Sequence, residues 1–146
     1  MTPIELAIDS DRPAIEHLLT DTGLPLEGLE AALSSAVVAR TEGAERAVVG
    51  CAAIEPYGSA GLLRSVCVAS DLRGTGLGRS LVTAAESLAA ARGITDLYLL
   101  TETAVGWFPR LGYEPTKRAT VPAAVTASPE FASACPESAV VRRKLL

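Results

Sequence analysis

Apolar and polar positions alternate over residues 4–8 (IELAI) among β-forming side chains, which predicts a strand. Ser10 or Asp11 then stands where a helix cap belongs and Pro13 suits a first helical turn. Ile15, Leu18 and Leu19 supply the apolar stripe of a helix that Gly23 ends. A second short helix is expected over residues 25–33 (PLEGLEAAL). Three strand-like runs follow: AVVAR (36–40), RAVVGCAAIE (46–55) and GLLRSVCVA (61–69). The breaks between them, TEGAE and PYGSA, are short and turn-like, so neighbouring strands should be antiparallel.

At Leu77 the period becomes helical: Leu77, Leu81, Ala85 and Leu88 share one face, and Gly93 is the stop. DLYLL (96–100) is too continuously apolar for a surface strand and reads as buried in a sheet. Ala104, Trp107, Phe108 and Leu111 give a further short helical stripe, which Pro109 should interrupt. GYEPTKR and the C-terminal SAVVRRKLL read as a last strand pair, separated by a stretch with helical content between prolines. Without repeat or linker, residues 1–146 are expected to form one α/β (α+β) domain, a mixed, mostly antiparallel sheet with four or five helices.

Bulk properties narrow the function classes. The formal net charge of −4 over 146 residues argues against a broad footprint on nucleic acid or an acidic membrane. Cys51, Cys67 and Cys135 have no C-x-x-C spacing, so neither a disulfide framework nor a zinc ribbon is expected. The N-terminus places acids where a signal peptide needs basic and then apolar residues, and no apolar run approaches the ~18 residues of a membrane span. A soluble, cytoplasmic domain without a metal is the expectation.

The most informative stretch is LRGTGLGRS (72–80), which lies between the strand SVCVA and the helix. A helix N-terminus offers unpaired N–H groups and partial positive charge, and glycines let a phosphate approach that backbone. Arg73 and Arg79 add cations on either side, although a strand-to-helix turn with solvated arginines would look the same. A P-loop would need a glycine where Arg73 stands. A Rossmann fingerprint would need one where Arg79 stands, together with crossover helices upstream.

What remains, R-G-x-G-x-G after a Val-x-Val strand in VCVASDLRGTGLGRSLV, resembles the acetyl-coenzyme A signature of the GNAT N-acetyltransferases. LYLLTETAVGWFPRLGY resembles their next strand, short helix and terminal Leu-Gly-aromatic, and the order of elements fits over nearly the whole chain. The resemblance implies the GNAT fold, with about seven strands, and acetyl-CoA as co-substrate. It implies that the backbone of Arg73, Gly74, Thr75, Gly76, Leu77, Gly78 and Arg79 holds the pyrophosphate. It also implies that Val66, Cys67 and Val68 offer their strand to the pantetheine arm and the thioester carbonyl. LLRSVCV, the LYLLTETA strand end and the tail PAAVTASPEFASACPESAVV further resemble small GNAT proteins encoded beside arsenic-resistance genes. That branch implies a small, amino-acid-like amine as acceptor.

Acetyl transfer needs a neutral amine, a polarised carbonyl and a thiolate that can leave. Many members of the family place a tyrosine after the aromatic at Trp107 to protonate that thiolate, but here the residue is Phe108. A thiol near pKa ~8.5 makes the missing acid worth roughly 2 kcal/mol at most, and Tyr98, Tyr113 or water could replace it. Glu102 and Glu55 end strands and could deprotonate the amine through water, or could be ordinary surface carboxylates. Arg64, flanked by apolar residues, could fork onto an acceptor carboxylate or pair with a neighbouring acid. His17 reads as solvated, and Cys67 as a small core side chain more readily than an acyl carrier. The expected function is an N-acetyltransferase acting by direct attack on a small-molecule amine, without nucleic acid or membrane partners; a homodimer is compatible with it. The alternatives are a non-catalytic acyl-CoA sensor and a thiol-based arsenical-binding protein.

Overall fold

The alternation at the N-terminus yields a three-residue strand, β1 (Ile4–Leu6), followed by a 3-10 turn over Asp9–Asp11. This computed structural model describes residues 2–101, 107–129, 131 and 140–146. Helix α1 (Arg12–Thr22) buries Ile15, Leu18 and Leu19 as its stripe requires, and Gly23 ends it with a left-handed φ of 73°. Neither Ser10 nor Asp11 caps α1 through its side chain. The Asp11 carboxylate instead accepts from the Ile8 N–H at 2.8 Å and from the Arg40 guanidinium at 2.7 and 2.6 Å, which ties α1 to the sheet. Left-handed Gly28 delays the second helix, so α2 spans only Leu29–Ala32 before a 3-10 turn at Leu33–Ser35.

Strands β2 (Ala36–Arg40), β3 (Val48–Tyr57) and β4 (Ala60–Val68) follow as an antiparallel meander. Helix α3 (Leu77–Ala91) leads into β5 (Asp96–Thr101). Chain end β7 (Val140–Leu145) pairs antiparallel with β5 along its whole length. GYEPTKR contributes only a two-residue strand, β6 (Glu114–Pro115), and the segment after it holds a 3-10 turn at Arg118–Thr120 and the helix α4 (Ala123–Thr126). The seven strands lie in the order β1-β2-β3-β4-β5-β7-β6, matching the number of strands that the resemblance implies. With four α-helices among the described residues, this is the α/β architecture the sequence predicts.

Pro109 stands at the start of a short turn. The described residues form a 3-10 turn at Phe108–Leu111 with Pro109 in its first turn, where a missing N–H costs nothing. Proline therefore helps start this turn, and no regular α-helix runs through it to Leu111. Ala104 lies outside the described residues.

One face of the sheet packs on α3: Leu77, Leu81, Val82, Ala85 and Ala89 meet Val37, Ala52, Ile54, Leu63, Leu97 and Leu99. On the other face α1 and α2 cover Val38, Cys51 and Cys67, while Val121 and Val125 cover Leu62, Tyr98 and Val141. Among the described residues no helix is long and apolar enough to cross a membrane.

Two irregularities open the sheet. Strands β4 and β5 are parallel and pair only from Ala60↔Asp96 to Leu62↔Tyr98. Beyond that point β4 stays with β3, whose register shifts by one residue between Cys51 and Ala53. The extra residue falls on β4 where Ser65 holds a left-handed φ of 58°, rare for a residue with a side chain. The bulge bends β4 away from β5 and leaves a cleft between them.

Candidate active site

The cleft opens into a cavity of about 860 Å³. One wall is the parted end of β4, residues Leu63 to Val68; the facing wall is Leu99, Leu100 and Thr101 of β5. Cys67 and Val68 remain in register with Cys51 and Gly50 of β3, and the Ala69 N–H donates to the Val49 carbonyl at 2.8 Å. Backbone polar groups alternate sides along a strand, so the Val66 and Val68 N–H groups point the other way, into the cleft.

The glycine loop closes one end. Gly74 and Gly76 adopt left-handed φ angles of 80° and 86°, and a β-carbon added at either would meet no atom within 4 Å. Gly76 is the N-cap of α3, and no side chain caps that helix. The N–H groups of Leu77, Gly78 and Arg79, the first helical turn, are therefore left without intrahelical partners at a positive dipole end. Arg73 and Arg79 line the cavity beside them. This bare, cationic cradle fits a pyrophosphate, and the adjoining strand edge fits an amide-bearing chain. Thr75 and Leu77 do not line the cavity with the other predicted residues: Thr75 is exposed and donates to Leu72 O at 2.6 Å, whereas the Leu77 side chain enters the core. Gly78 is needed for close packing, because a β-carbon there would stand 3.2 Å from the Trp107 ring.

The opposite end is formed by the α1–α2 connection, Thr22 to Pro25 and Glu27. Arg64 fixes it. Its side chain is 1% exposed and pairs with Glu55 Oε2 at 2.8 Å. It also donates to the Pro25 carbonyl at 3.0 Å, to the Glu27 carbonyl and to Ser65 Oγ at 3.1 Å. Arg64 therefore takes the acid-paired alternative and acts as a clamp between the bulge and the loop. The Tyr57 hydroxyl completes the cluster by donating to Glu55 Oε1 at 2.5 Å; burial and this bond push its pKa up to about 12.

The expected proton carriers are not gathered here. Glu55 is 1% exposed, locked by Arg64 and Tyr57, and does not line the cavity, so it is neither a surface carboxylate nor a base in reach of an acceptor. Tyr98 is buried on the α4 side of the sheet, in the cluster with Val121 and Phe131. Tyr113 is fully buried, donates to Glu86 at 2.8 Å, and burial raises its pKa far above the usual phenol value. Phe108 lines the cavity and stacks edge-on with Trp107 at 4.9 Å and with Tyr113 at 5.9 Å. Glu102, the first-choice base, lies outside the described residues, as does Cys135. The one carboxylate residue lining the cavity among the described residues is Glu27, which the sequence did not single out. The sequence placed Glu27 inside the helix expected over residues 25–33, whereas the observed helix starts only at Leu29, and nothing local tied the segment before it to β4.

Cys67 lines the cavity and is 6% exposed, with its sulfur 3.7 Å from Cys51 Sγ. The Cys51 thiol, the Thr22 hydroxyl and Arg73 together lower the Cys67 pKa against the effect of burial. The same neighbour and deeper burial raise that of Cys51. No cluster of metal-ligating side chains occurs among the described residues.

Comparison with known proteins agrees with this geometry. The family model described as an acetyltransferase (GNAT) domain matches residues 33–115. An amino-acid acetyltransferase of Ectopseudomonas mendocina is 34% identical over 82 residues, 55% of this chain and 19% of that protein. The chain spans less than half the length of the curated relatives it matches. Among solved structures, the N-acetylglutamate synthase of Neisseria gonorrhoeae complexed with coenzyme A and N-acetyl-glutamate superposes with a TM-score of 0.84. Its identity is 21%, over 100% of this chain and 35% of that one. A Mycobacterium tuberculosis protein solved in complex with CoA gives a TM-score of 0.81 at 25% identity, over 99% of both chains.

Proposed function

Because the chain belongs to the GNAT acetyltransferase family, we propose that residues 1–146 act as one acetyl-CoA-dependent N-acetyltransferase domain on a small amine. A single observation carries this reading: the glycine cradle at the α3 N-terminus and the bared N–H groups of Val66 and Val68 open onto one cavity. Acetyl-CoA supplies the activated acyl group as a thioester. The backbone of residues 73–79 holds the pyrophosphate, with Arg73 and Arg79 adding charge. The N–H groups of Val66 and Val68 hold the pantetheine arm and polarise the thioester carbonyl, work that a preorganised strand edge does without reorganising. Arg64 positions the Thr22–Glu27 wall against which the amine is presented.

Deprotonating the amine is the harder proton task near neutrality, because an ammonium of pKa ~9–10 must lose its proton whereas a thiolate near pKa ~8.5 leaves readily. Thr101 lines the cavity at the end of β5 and Glu102 follows it directly, which favours Glu102 as the base acting through water. An amino-acid-like acceptor is the finer reading, supported by the names of the relatives; the arsenic-resistance branch rests on sequence resemblance alone. Cytoplasmic residence is part of the same proposal.

The test is thiol release from acetyl-CoA by the purified protein across amino acids, phosphinothricin and polyamines. Turnover with one amine class and a mass gain of one acetyl group on that amine is the expected result. Tight calorimetric binding of acetyl-CoA without transfer to any amine would replace the enzyme with an acyl-CoA sensor.

A further inference from the structure

Cys51 and Cys67 stand directly opposite each other on β3 and β4, with sulfurs 3.7 Å apart. The hydrogen bond from Ala69 N to Val49 O sets the alternation, so Cys51 and Cys67 form a hydrogen-bonded pair with Cα atoms about 5.5 Å apart. That separation lies inside the range a disulfide spans, roughly 4.4–6.8 Å. The two thiols are not equivalent. Cys67 lines the cavity, while Cys51 is 1% exposed and donates to the Ser65 carbonyl at 3.2 Å on the bulge. An oxidant entering the cavity would meet Cys67 first, and Cys51 waits behind it.

We propose that Cys51 and Cys67 form a reversible, hydroperoxide-driven disulfide that switches the acetyl-holding strand off. The Cys67 thiolate attacks a peroxide oxygen, giving a sulfenic acid and releasing water or an alcohol after protonation. The Cys51 thiol then attacks the sulfenic sulfur; an S–S bond forms, the S–O bond breaks and a second water leaves. Two electrons pass from the two thiols to the peroxide, and a dithiol reductant returns them. The lowered pKa of Cys67 and the raised pKa of Cys51 agree with an attacking and a resolving thiol. The β-carbons of a hydrogen-bonded strand pair stand about 5.5 Å apart, whereas a disulfide needs roughly 3.5–4.5 Å. Forming the bond therefore draws the strand at Val66 and Val68, which flank Cys67, toward β3 by roughly an ångström. A displacement of that order at a reacting centre costs up to ~100-fold in rate.

The loss of transfer rests on the proposed function, whereas the disulfide does not. The experiment treats purified Cys135→Ser protein with hydrogen peroxide. Free thiols are counted in denaturant, cysteine peptides are mapped without reduction, and turnover is followed before and after dithiothreitol. The expected result is the joint loss of both thiols, a Cys51–Cys67 linked peptide, and a fall in turnover of at least tenfold that dithiothreitol restores. Cys51→Ala should keep basal turnover, yield no such peptide and lose dithiothreitol recovery as excess peroxide carries the unresolved Cys67 sulfenic acid on to the sulfinic acid. Thiols that persist, or that appear only in links between molecules, overturn the disulfide. A mapped disulfide with unchanged turnover overturns the switch. If no amine is ever turned over, peptide mapping still decides whether the bond forms.

Discussion

Gly76 shows how one residue serves the site through its backbone. Its φ of 86° is strained for any L side chain, yet a β-carbon there meets no protein atom within 4 Å. The loop thus rejects a side chain because of its own conformation, while the space beside it stays open. Gly76→Val should weaken acetyl-CoA binding at least tenfold by calorimetry and cost ~1–2 kcal/mol of stability, whereas Gly76→Asn, which tolerates left-handed backbone, should keep most of both. Unchanged affinity in the valine variant would remove the loop from the coenzyme site. Glu55 is the counterexample, a carboxylate whose position at a strand end suggested chemistry and whose partners make it structural. Glu55→Gln leaves Arg64 buried beside a neutral amide and should destabilise by ~3–5 kcal/mol in urea unfolding. Tyr57→Phe removes one hydrogen bond from the same cluster and should cost ~1 kcal/mol.

Elements are joined by charge as well as by apolar contact. Arg40 at the end of β2 reaches both Glu5 of β1 and Asp11 before α1. Hydrogen bonds from Arg40 hold the Asp11 carboxyl below its usual range despite burial. A carboxyl with a depressed folded pKa adds stability that is complete above its unfolded pKa, near ~4, and is lost as pH falls through the folded value. Wild type should therefore exceed Asp11→Asn in urea midpoint at pH 6, and the gap should narrow by pH 3; a gap independent of pH would refute the linkage. The meander, α3 and the buried β5 were legible because each carries a local signal: strand-forming runs between short turns, a helical stripe, and a continuous apolar run. Asp11 stands at the N-cap position as expected, but its carboxylate is claimed by Arg40, 29 positions away, so it makes no capping bond. Glu114–Pro115 forms so short a strand because proline offers no N–H to extend the ladder.

At the scale of the molecule, segments distant in the chain build one cleft, and the proposed chemistry is spread over them. Phe108, set edge-on between Trp107 and Tyr113, leaves no phenol at the usual position, and Tyr98 and Tyr113 are committed elsewhere. Phe108→Tyr should change turnover by less than tenfold in either direction. The rate should rise with pH up to the amine's pKa, and Glu102→Gln should depress it across the profile far more than Tyr98→Phe or Tyr113→Phe. A large loss confined to a tyrosine variant, with Glu102→Gln near normal, would overturn the carboxylate mechanism.

The sequence by itself determined the glycine-loop end of the cleft, because strand, glycine loop and helix N-terminus are contiguous in residues 65–80 and their chemistry lies in the backbone of that one stretch. Tertiary structure alone decided the opposite end, where β4 meets the α1–α2 connection. Whether Arg64 was free or paired depended on Glu55 across the strand pair and on carbonyls 37 and 39 residues away. The pairing of Cys51 with Cys67 depended on a register set by the bulge at Ser65. Local propensity encodes neither, because a side chain buried among partners distant in the chain takes its charge state, its neighbours and its role from the packing that brings them together.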